Sequence, residues 1–137
     1  MKFFINIILV AASIFAASNV FAGDDEVRLR KALQADVTAS NMPALLVRVD
    51  GRKQIQGRRR VWALEPGKHV IALEPDREEI LRYESLGYKG HPMPRVFSEK
   101  TLEVDLEPGA EYVFSVKITN FDFQTWEPVL TKVERSD

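Results

Sequence analysis

Apolar and polar side chains alternate on both sides of Pro108-Gly109, with a break at Val113, and this feature constrains the fold more than any other. The alternation runs through residues 101–107 and again through 110–119. Because successive side chains of a strand point to opposite faces of a sheet, each run predicts a strand with one buried and one exposed face. The predicted buried residues are Leu102, Val104, Leu106, Tyr112, Phe114, Val116 and Ile118.

Proline-glycine pairs separate two sets of predicted strands. Pro66-Gly67 lies between residues 58–64 and 68–74, as Pro108-Gly109 does between the two strands above. Proline presets φ at the first central position of a turn and glycine accepts a positive φ at the second, which is type II turn chemistry. The sequence therefore predicts two hairpins. Both contain Leu-Glu-Pro-Gly, through either an internal duplication or two independent turns with the same requirement.

Further strand signals complete an all-β pattern. Residues 44–49 form an apolar, β-branched run that ends at Asp50-Gly51, a strong turn signal, and residues 126–134 form a last strand with Pro128 at an edge or bulge. Residues 24–41 fit neither a helix nor a strand cleanly and are left unassigned, as part of an N-terminal segment, 23–43. The prediction is one small antiparallel β-sandwich over 44–137, with an open β-barrel as the alternative.

Composition bounds the class of protein. Hydrophobic residues make up 45% and charged residues 28% of the 137 residues, which is typical of one globular domain. The formal net charge of −1 argues against a general nucleic-acid binder, since such proteins need excess Lys and Arg. There is no Cys, so the fold must be stable without disulfides.

The N-terminus has the pattern of a secretory signal peptide over residues 1–22. Lys2 provides the positive charge, residues 3–17 the apolar stretch, and Val20 and Ala22 the small residues of a cleavage site that leaves Gly23 first. The predicted location is therefore the periplasm or the exterior of the cell, without a stable transmembrane anchor. An uncleaved N-terminal anchor is the alternative.

The region from Ala44 to Tyr88 resembles the PEGA-type domain of bacterial extracytoplasmic proteins. The resemblance rests on VRVDG at 47–51, Gly57, and LEPGKHVIAL at 64–73, and Gly87-Tyr88 is similar to the pair that often closes such modules. Arg58-Arg59 replaces the usual Thr-Pro, and residues 101–134 add strands beyond one module. The resemblance implies a small β-sandwich that serves as an interaction or surface module and defines no ligand.

Residues that could perform chemistry do not form a recognisable motif. His69 shares a predicted strand face with Ile71 and Leu73, where a hydrogen-bonded structural histidine is expected, and His91 lies in a loop. No metal-ligand spacing, nucleophile elbow or phosphate loop is present in the sequence. The sequence therefore predicts a protein that is not an enzyme, with no cofactor and no metal site.

The longest gap between strand signals, residues 75–94, is the first candidate binding element. Loops of this length inside a domain are commonly functional, and Tyr83, Tyr88 and His91 have the amphipathic side chains of contact surfaces. The alternative is a short helix that covers an open end of the sandwich, which begins with Asp76 and Glu79 at capping-box spacing.

Two further sets of residues are candidates for binding. Phe121, Phe123 and Trp126 could stack on a sugar ring or fill the core. Arg58 and Arg60 belong to a basic cluster that either guards a strand edge or recognises phosphate and carboxylate groups. On a regular strand these two arginines would share a face with Trp62, and Arg59 would lie opposite.

Two functions remain open from the sequence. The first is a non-catalytic interaction module of the cell envelope that docks onto a protein partner through a sheet edge or the 75–94 segment. The second is a binding domain for an envelope glycan, on the aromatic residues, or for an anionic lipid head group, on the arginines.

Overall fold

The computed structural model describes residues 25–33, 35, 40–57, 59–82 and 90–135. Within them the strands are β1 (Val27–Lys31), β2 (Asn41–Met42), β3 (Ala44–Val49), β4 (Arg52–Lys53), β5 (Val61–Leu64), β6 (Gly67–Pro75), β7 (Lys100–Leu106), β8 (Glu111–Ile118) and β9 (Trp126–Val133). One short helix, α1 (Arg77–Leu81), follows β6, and a single 3₁₀ turn, Thr119–Phe121, follows β8.

The strands form two sheets that pack into a sandwich. In the first sheet, β8 lies between β9 on one side and both β1 and β2 on the other, and β5 pairs with the far edge of β1. The second sheet has the strand order β4-β3-β6-β7. Because β9 pairs with the whole length of β8, β1 and β2 share the other edge of β8. The two sheets do not close into a barrel, and the predicted small all-β sandwich is confirmed.

Two features of the first sheet go beyond the prediction. The pairing of β1 with β8 is parallel, so the sandwich is not purely antiparallel. In addition, β1 and β2 lie in the segment before residue 44 that the pattern left unassigned, so the sandwich includes residues on the N-terminal side of 44.

The prediction of two Pro-Gly hairpins is wrong. β5 pairs with β1 in the first sheet, whereas β6 pairs with β3 and β7 in the second, so the chain crosses between sheets at Pro66-Gly67. It crosses back at Pro108-Gly109, since β7 and β8 also lie in different sheets. Turn chemistry specifies a local change of direction, but the partner of each strand is set by packing. The two corners lie side by side, because Gly67 pairs with Leu106.

Several local predictions are confirmed. β3 spans the predicted residues, and Asp50 and Gly51 have φ of 51° and 82°, the left-handed pair of a type I′ turn to β4. The strand β9 lies at an edge, as Pro128 indicated. Asp76 caps α1 by accepting a hydrogen bond from the Glu79 N–H at 3.3 Å.

The core lies between the two sheets. Trp62 from β5 meets Phe114 from β8 edge to face, with ring centroids 5.5 Å apart. Ile80 of α1 is fully buried, so the helix covers one end of the sandwich. Burial of a side chain of this size contributes about 2 kcal/mol, which explains why a five-residue helix persists here.

Candidate functional site

The aromatic candidates near the start of β9 separate into core and surface residues. Phe123 and Trp126 are only 1% and 5% exposed and belong to the hydrophobic core, so they do not offer a stacking platform for a sugar. Lys100 lies over the Trp126 ring at 4.6 Å and donates to the Trp126 carbonyl at 2.6 Å. These two aromatics therefore stabilise the fold, which was the alternative interpretation of the pattern.

Phe121 and His91 form a small surface pair. Their ring centroids are 5.6 Å apart, and Phe121 is half-buried while His91 is exposed. Asn120 and Phe121 both have positive φ, 54° and 56°, which is uncommon for an aromatic residue. The contact joins the segment before β7 to the connection between β8 and β9. The candidates Tyr83, Tyr88 and Arg58 lie outside the described residues.

A cleft of about 630 Å³ lies among the described residues at the end of the sandwich that α1 covers. We call it the arginine cleft. Its cationic side chains, among the described residues, are Lys31, Arg59, Arg60, Arg77, Arg82 and Arg95. Its acidic side chains, within the same ranges, are Glu74, Asp76, Glu78 and Glu79. The cleft thus brings the basic cluster of the sequence together with both ends of the long 75–94 segment.

The backbone positions Arg59 and Arg60 immediately before β5. The Lys31 N–H donates to the Arg60 carbonyl at 2.9 Å, which fixes this residue to the end of β1. The Arg59 guanidinium lies 5.3 Å from the centre of the Trp62 ring, and its Nε donates to the Val61 carbonyl at 3.2 Å. The expectation that Arg59 would point away from Trp62 is therefore wrong, because the regular strand begins only at Val61.

Several cations of the cleft already have partners. Lys31 Nζ lies 2.5 Å from Asp76 Oδ2, and both side chains are mostly buried. Arg82 pairs with Glu79 at 3.2 Å, and Arg77 Nε donates to the Pro94 carbonyl at 3.1 Å. These contacts hold α1 and the segment before β7 in place, and they satisfy three of the positive charges.

Arg60 and Arg95 make no ion pair with an acidic side chain of the described residues, and both are exposed. Burial, together with the charges of Glu99 and Asp76, raises the pKa of the nearby Glu74 carboxyl above its ordinary value. Ionisation of Glu74 is therefore less favourable than that of a carboxyl in water. Among the described residues, Arg60 and Arg95 present positive charge to solvent without an acidic partner.

Apolar side chains lie at the rim of the cleft. Val96 is 80% exposed and Leu33 is 47% exposed. Both side chains line the same concavity as the charged residues above. The arginine cleft therefore combines charged and apolar contacts in one place.

Sequence reasoning identified Arg60 but missed Arg82 and Arg95. No local signal links them, because Arg60 precedes β5 of the first sheet while the other two flank the segment after β6 of the second. Only the packing of the two sheets brings them together.

A second polar site surrounds His69 on β6. Its Nδ1 lies 2.6 Å from Asp50 Oδ2 and its Nε2 lies 2.8 Å from the Glu65 carbonyl oxygen. Burial lowers the pKa of His69, but these two hydrogen bonds and the charge of Asp50 outweigh it and raise the pKa above its ordinary value. The predicted hydrogen-bonded structural histidine is confirmed, and it ties the β3–β4 turn to the corner before β6.

The described part of the chain contains no group of His, Asp and Glu side chains arranged to hold a metal ion. It also contains no helix with the length and apolar character to cross a membrane. Comparison with family models, curated proteins and solved structures finds no match to this chain.

Proposed function

We propose that this protein is an exported, non-catalytic interaction module of the bacterial cell envelope, which docks an acidic segment of a partner protein in the arginine cleft. The observation that supports this most is the presence of two exposed arginines, Arg60 and Arg95, without acidic partners among the described residues beside an exposed apolar rim. Export is inferred from the signal-peptide pattern of residues 1–22, and the resemblance to PEGA-type domains agrees with an envelope module.

A peptide fits the cleft better than a single small anion does. The volume of about 630 Å³ accommodates several side chains, and Val96 offers an apolar contact that an inorganic anion cannot use. Arginine is enriched in protein interfaces because its planar guanidinium makes two hydrogen bonds to a carboxylate. A segment that alternates acidic and aliphatic residues would use both properties of the cleft.

Binding of a labelled peptide tests this proposal. The probe is an acetylated twelve-residue peptide in which Glu alternates with Leu. It is titrated against the mature protein, in the form that results from processing in the cell. Arg60→Ser with Arg95→Ser should weaken binding by about tenfold or more and flatten its salt dependence. Lys53→Ser with Lys117→Ser removes the same charge from exposed positions outside the cleft and should leave binding unchanged.

An anionic lipid head group is the second candidate, because unpaired guanidinium groups bind phosphate as well as carboxylate. Vesicles of phosphatidylethanolamine and phosphatidylglycerol in a 3:1 ratio separate the two. Sedimentation with these vesicles that depends on Arg60 and Arg95, without peptide binding, would assign the cleft to lipid and overturn the protein-docking proposal. Peptide binding that persists in the double arginine variant would also overturn it.

A photo-crosslinking amino acid at Val96 extends the test to the cell. A single protein adduct that disappears in the Arg60→Ser, Arg95→Ser background would support docking in the cleft. An adduct of equal intensity in both backgrounds would place the contact elsewhere.

A further inference from the structure

Among the described residues, the strand β7 forms one edge of the second sheet and has a strand partner, β6, on one side only. It pairs with β6 through seven consecutive residues, Gly67 with Leu106 through Leu73 with Lys100, without a bulge. No other backbone hydrogen bond among the described residues reaches β7. Its outward N–H and C=O groups are therefore available to a further strand.

The other sheet edges are protected in ways that β7 is not. β4 has two residues and β5 has four, which are too short to template a long pairing. β9 contains Pro128, which lacks a backbone N–H. β7 has seven residues and no proline, so it is the longest uninterrupted edge among the described strands.

The core is incomplete at this edge. Leu102 and Val104 point towards the core but are only partly buried, whereas Ile71 and Leu73 on the neighbouring β6 are fully buried. The difference arises because nothing among the described residues covers the far side of β7. The apolar side chains of an added strand would lie beside Leu102 and Val104 and extend the core by one strand.

The outer face beside this edge is acidic with an apolar floor. Glu103, Asp105 and Asp50 line a hollow of about 340 Å³ together with two basic residues, Lys68 and His69. Its floor includes Val70, which is 42% exposed, and its carboxylates outnumber its basic groups by three to two. A long basic side chain can lay its methylenes on an apolar surface while its charged end stays among carboxylates. The hollow therefore suits Lys or Arg on the outward face of an added strand.

The same charges argue against a second copy of this chain as the occupant. If two β7 edges paired antiparallel, Glu103 of one copy would lie opposite or beside Glu103 or Asp105 of the other. Like charges directly across a strand pair are destabilising. A segment of opposite charge does not meet this repulsion.

From this combination we infer that the β7 edge docks an extended segment of a partner protein by strand addition, and that this segment alternates apolar with basic residues. This second interface lies outside the arginine cleft and does not depend on the function proposed for it. Main-chain hydrogen bonds would supply affinity, and the acidic outer face would select the charge of the partner. The protein would then hold an acidic segment at one site and a basic segment at the other.

Three synthetic peptides test the inference on the processed full chain. The first is an acetylated heptapeptide that alternates Val and Lys, the second has Glu in place of Lys, and the third is the Val-Lys peptide with N-methyl groups on alternate residues. The Val-Lys peptide should bind and protect β7 amides from hydrogen exchange. At the β7 edge, as measured by this protection, the other two should bind at least about tenfold more weakly, because one repels the acidic face and the other lacks main-chain donors.

Charge reversal sharpens the test. Glu103→Lys with Asp105→Lys should exchange the preference, so that the Val-Glu peptide binds and the Val-Lys peptide does not. The control, Glu127→Lys with Glu134→Lys, reverses equal charge at exposed positions outside the β7 hollow and should leave the preference unchanged. The comparison is repeated in the Arg60→Ser, Arg95→Ser background, where binding of the acidic peptide in the arginine cleft no longer contributes, and protection at β7 should show the same order of peptides.

Three results would overturn the inference. Equal binding of the N-methylated peptide would show that only charge is recognised. Protection, in the protein alone and at all concentrations, of the outward β7 amides that do not bond to β6 would show that another segment of the same chain covers the edge. Protection that grows with protein concentration would show that a second copy does.

Discussion

Lys31 Nζ and Asp76 Oδ2 lie 2.5 Å apart and join the two sheets of the sandwich at the end that holds the arginine cleft. Lys31 ends β1 of the first sheet, and Asp76 follows β6 of the second. The Asp76 side chain also accepts the Glu79 N–H, so one carboxylate fixes both the sheet packing and the start of α1. The geometry of the cleft therefore depends on this pair.

Removal of Lys31 should destabilise the fold strongly. Lys31→Met leaves the mostly buried Asp76 carboxylate without its counter-ion, and we expect the free energy of unfolding to fall by about 3 kcal/mol in urea denaturation. Adding Asp76→Asn should recover part of this loss, because asparagine still caps the helix and carries no charge. A double variant as unstable as the sum of the single changes would contradict the coupling. Lys132→Met, which breaks the exposed pair with Glu107, is the control and should have little effect.

The contacts of His69 predict a loss of stability towards alkaline pH. Both ring nitrogens face acceptors, a carboxylate and a carbonyl, and only the protonated imidazolium can donate to both. Since the pKa of His69 is raised in the folded state, its stabilisation is complete below the ordinary value of 6.5 and is lost as pH rises through the folded value. We expect the melting temperature to fall over that interval. His69→Gln should remove this dependence, and His91→Gln should retain it.

Asp50, the partner of His69, predicts a loss of stability towards acidic pH. Hydrogen bonds from the Val70 N–H and from His69 lower the pKa of Asp50 below its ordinary value of 3.8. The stabilisation from Asp50 is therefore present above that value and is lost as pH falls through the lower folded value. The stabilisation of the turn between β3 and β4 should therefore be complete between the ordinary pKa of Asp50, 3.8, and that of His69, 6.5.

The glycine at the first corner should not tolerate a β-branched residue. Gly67 has φ of 113°, and an added Cβ would meet no atom within 4 Å, so the cost of substitution comes from the backbone alone. We expect Gly67→Val to lower the free energy of unfolding by about 1 kcal/mol or more. Gly109→Val, at φ of 73° in the second corner, should behave alike. Melting temperatures equal to that of the exposed control Thr101→Val would contradict this account.

The sequence predicted individual strands better than it predicted their partners. β3 and β9 were placed correctly because alternation and turn residues are local properties of the chain. The pairing of β5 with β1 and of β1 with β8 joins segments far apart in the sequence, and no turn residue encodes it. Both Pro-Gly pairs were therefore assigned to hairpins, although the chain changes sheets at each of them.

The candidate site was only partly predictable for the same reason. Arg60 stood out as part of a dense basic cluster, but the cleft also requires Arg95 from a distant segment. Phe123 and Trp126 had the residue types of a binding surface, and only the folded structure shows that they are buried in the core. Residue type indicated the chemistry, whereas topology determined which residues meet.

The proposed export makes a direct prediction about the N-terminus of the mature chain. Cells that express the full sequence should accumulate a form that begins at Gly23, because Val20 and Ala22 fit the small-residue cleavage pattern. Mass spectrometry of the N-terminal peptide checks this. Recovery of a chain that still begins at Met1 would contradict the signal-peptide prediction. Ala22→Arg should block cleavage at this site and serves as the matched variant.

Replacement of Glu74 links the stability of the fold to the charge of the cleft. Burial, with Glu99 and Asp76 nearby, raises the pKa of Glu74, so ionisation of this group opposes folding at neutral pH and ceases to do so below its ordinary value of 4.5. Glu74→Gln should therefore raise the free energy of unfolding at pH 7 but not at pH 4, as measured by urea denaturation. At pH 7 it should also tighten binding of the Glu-Leu peptide, because one negative charge has left the arginine cleft. Glu103→Gln, on the far edge of the second sheet, removes the same charge and should do neither. If Glu74→Gln stabilises the protein equally at both pH values, the effect comes from packing and the electrostatic account of the cleft is wrong.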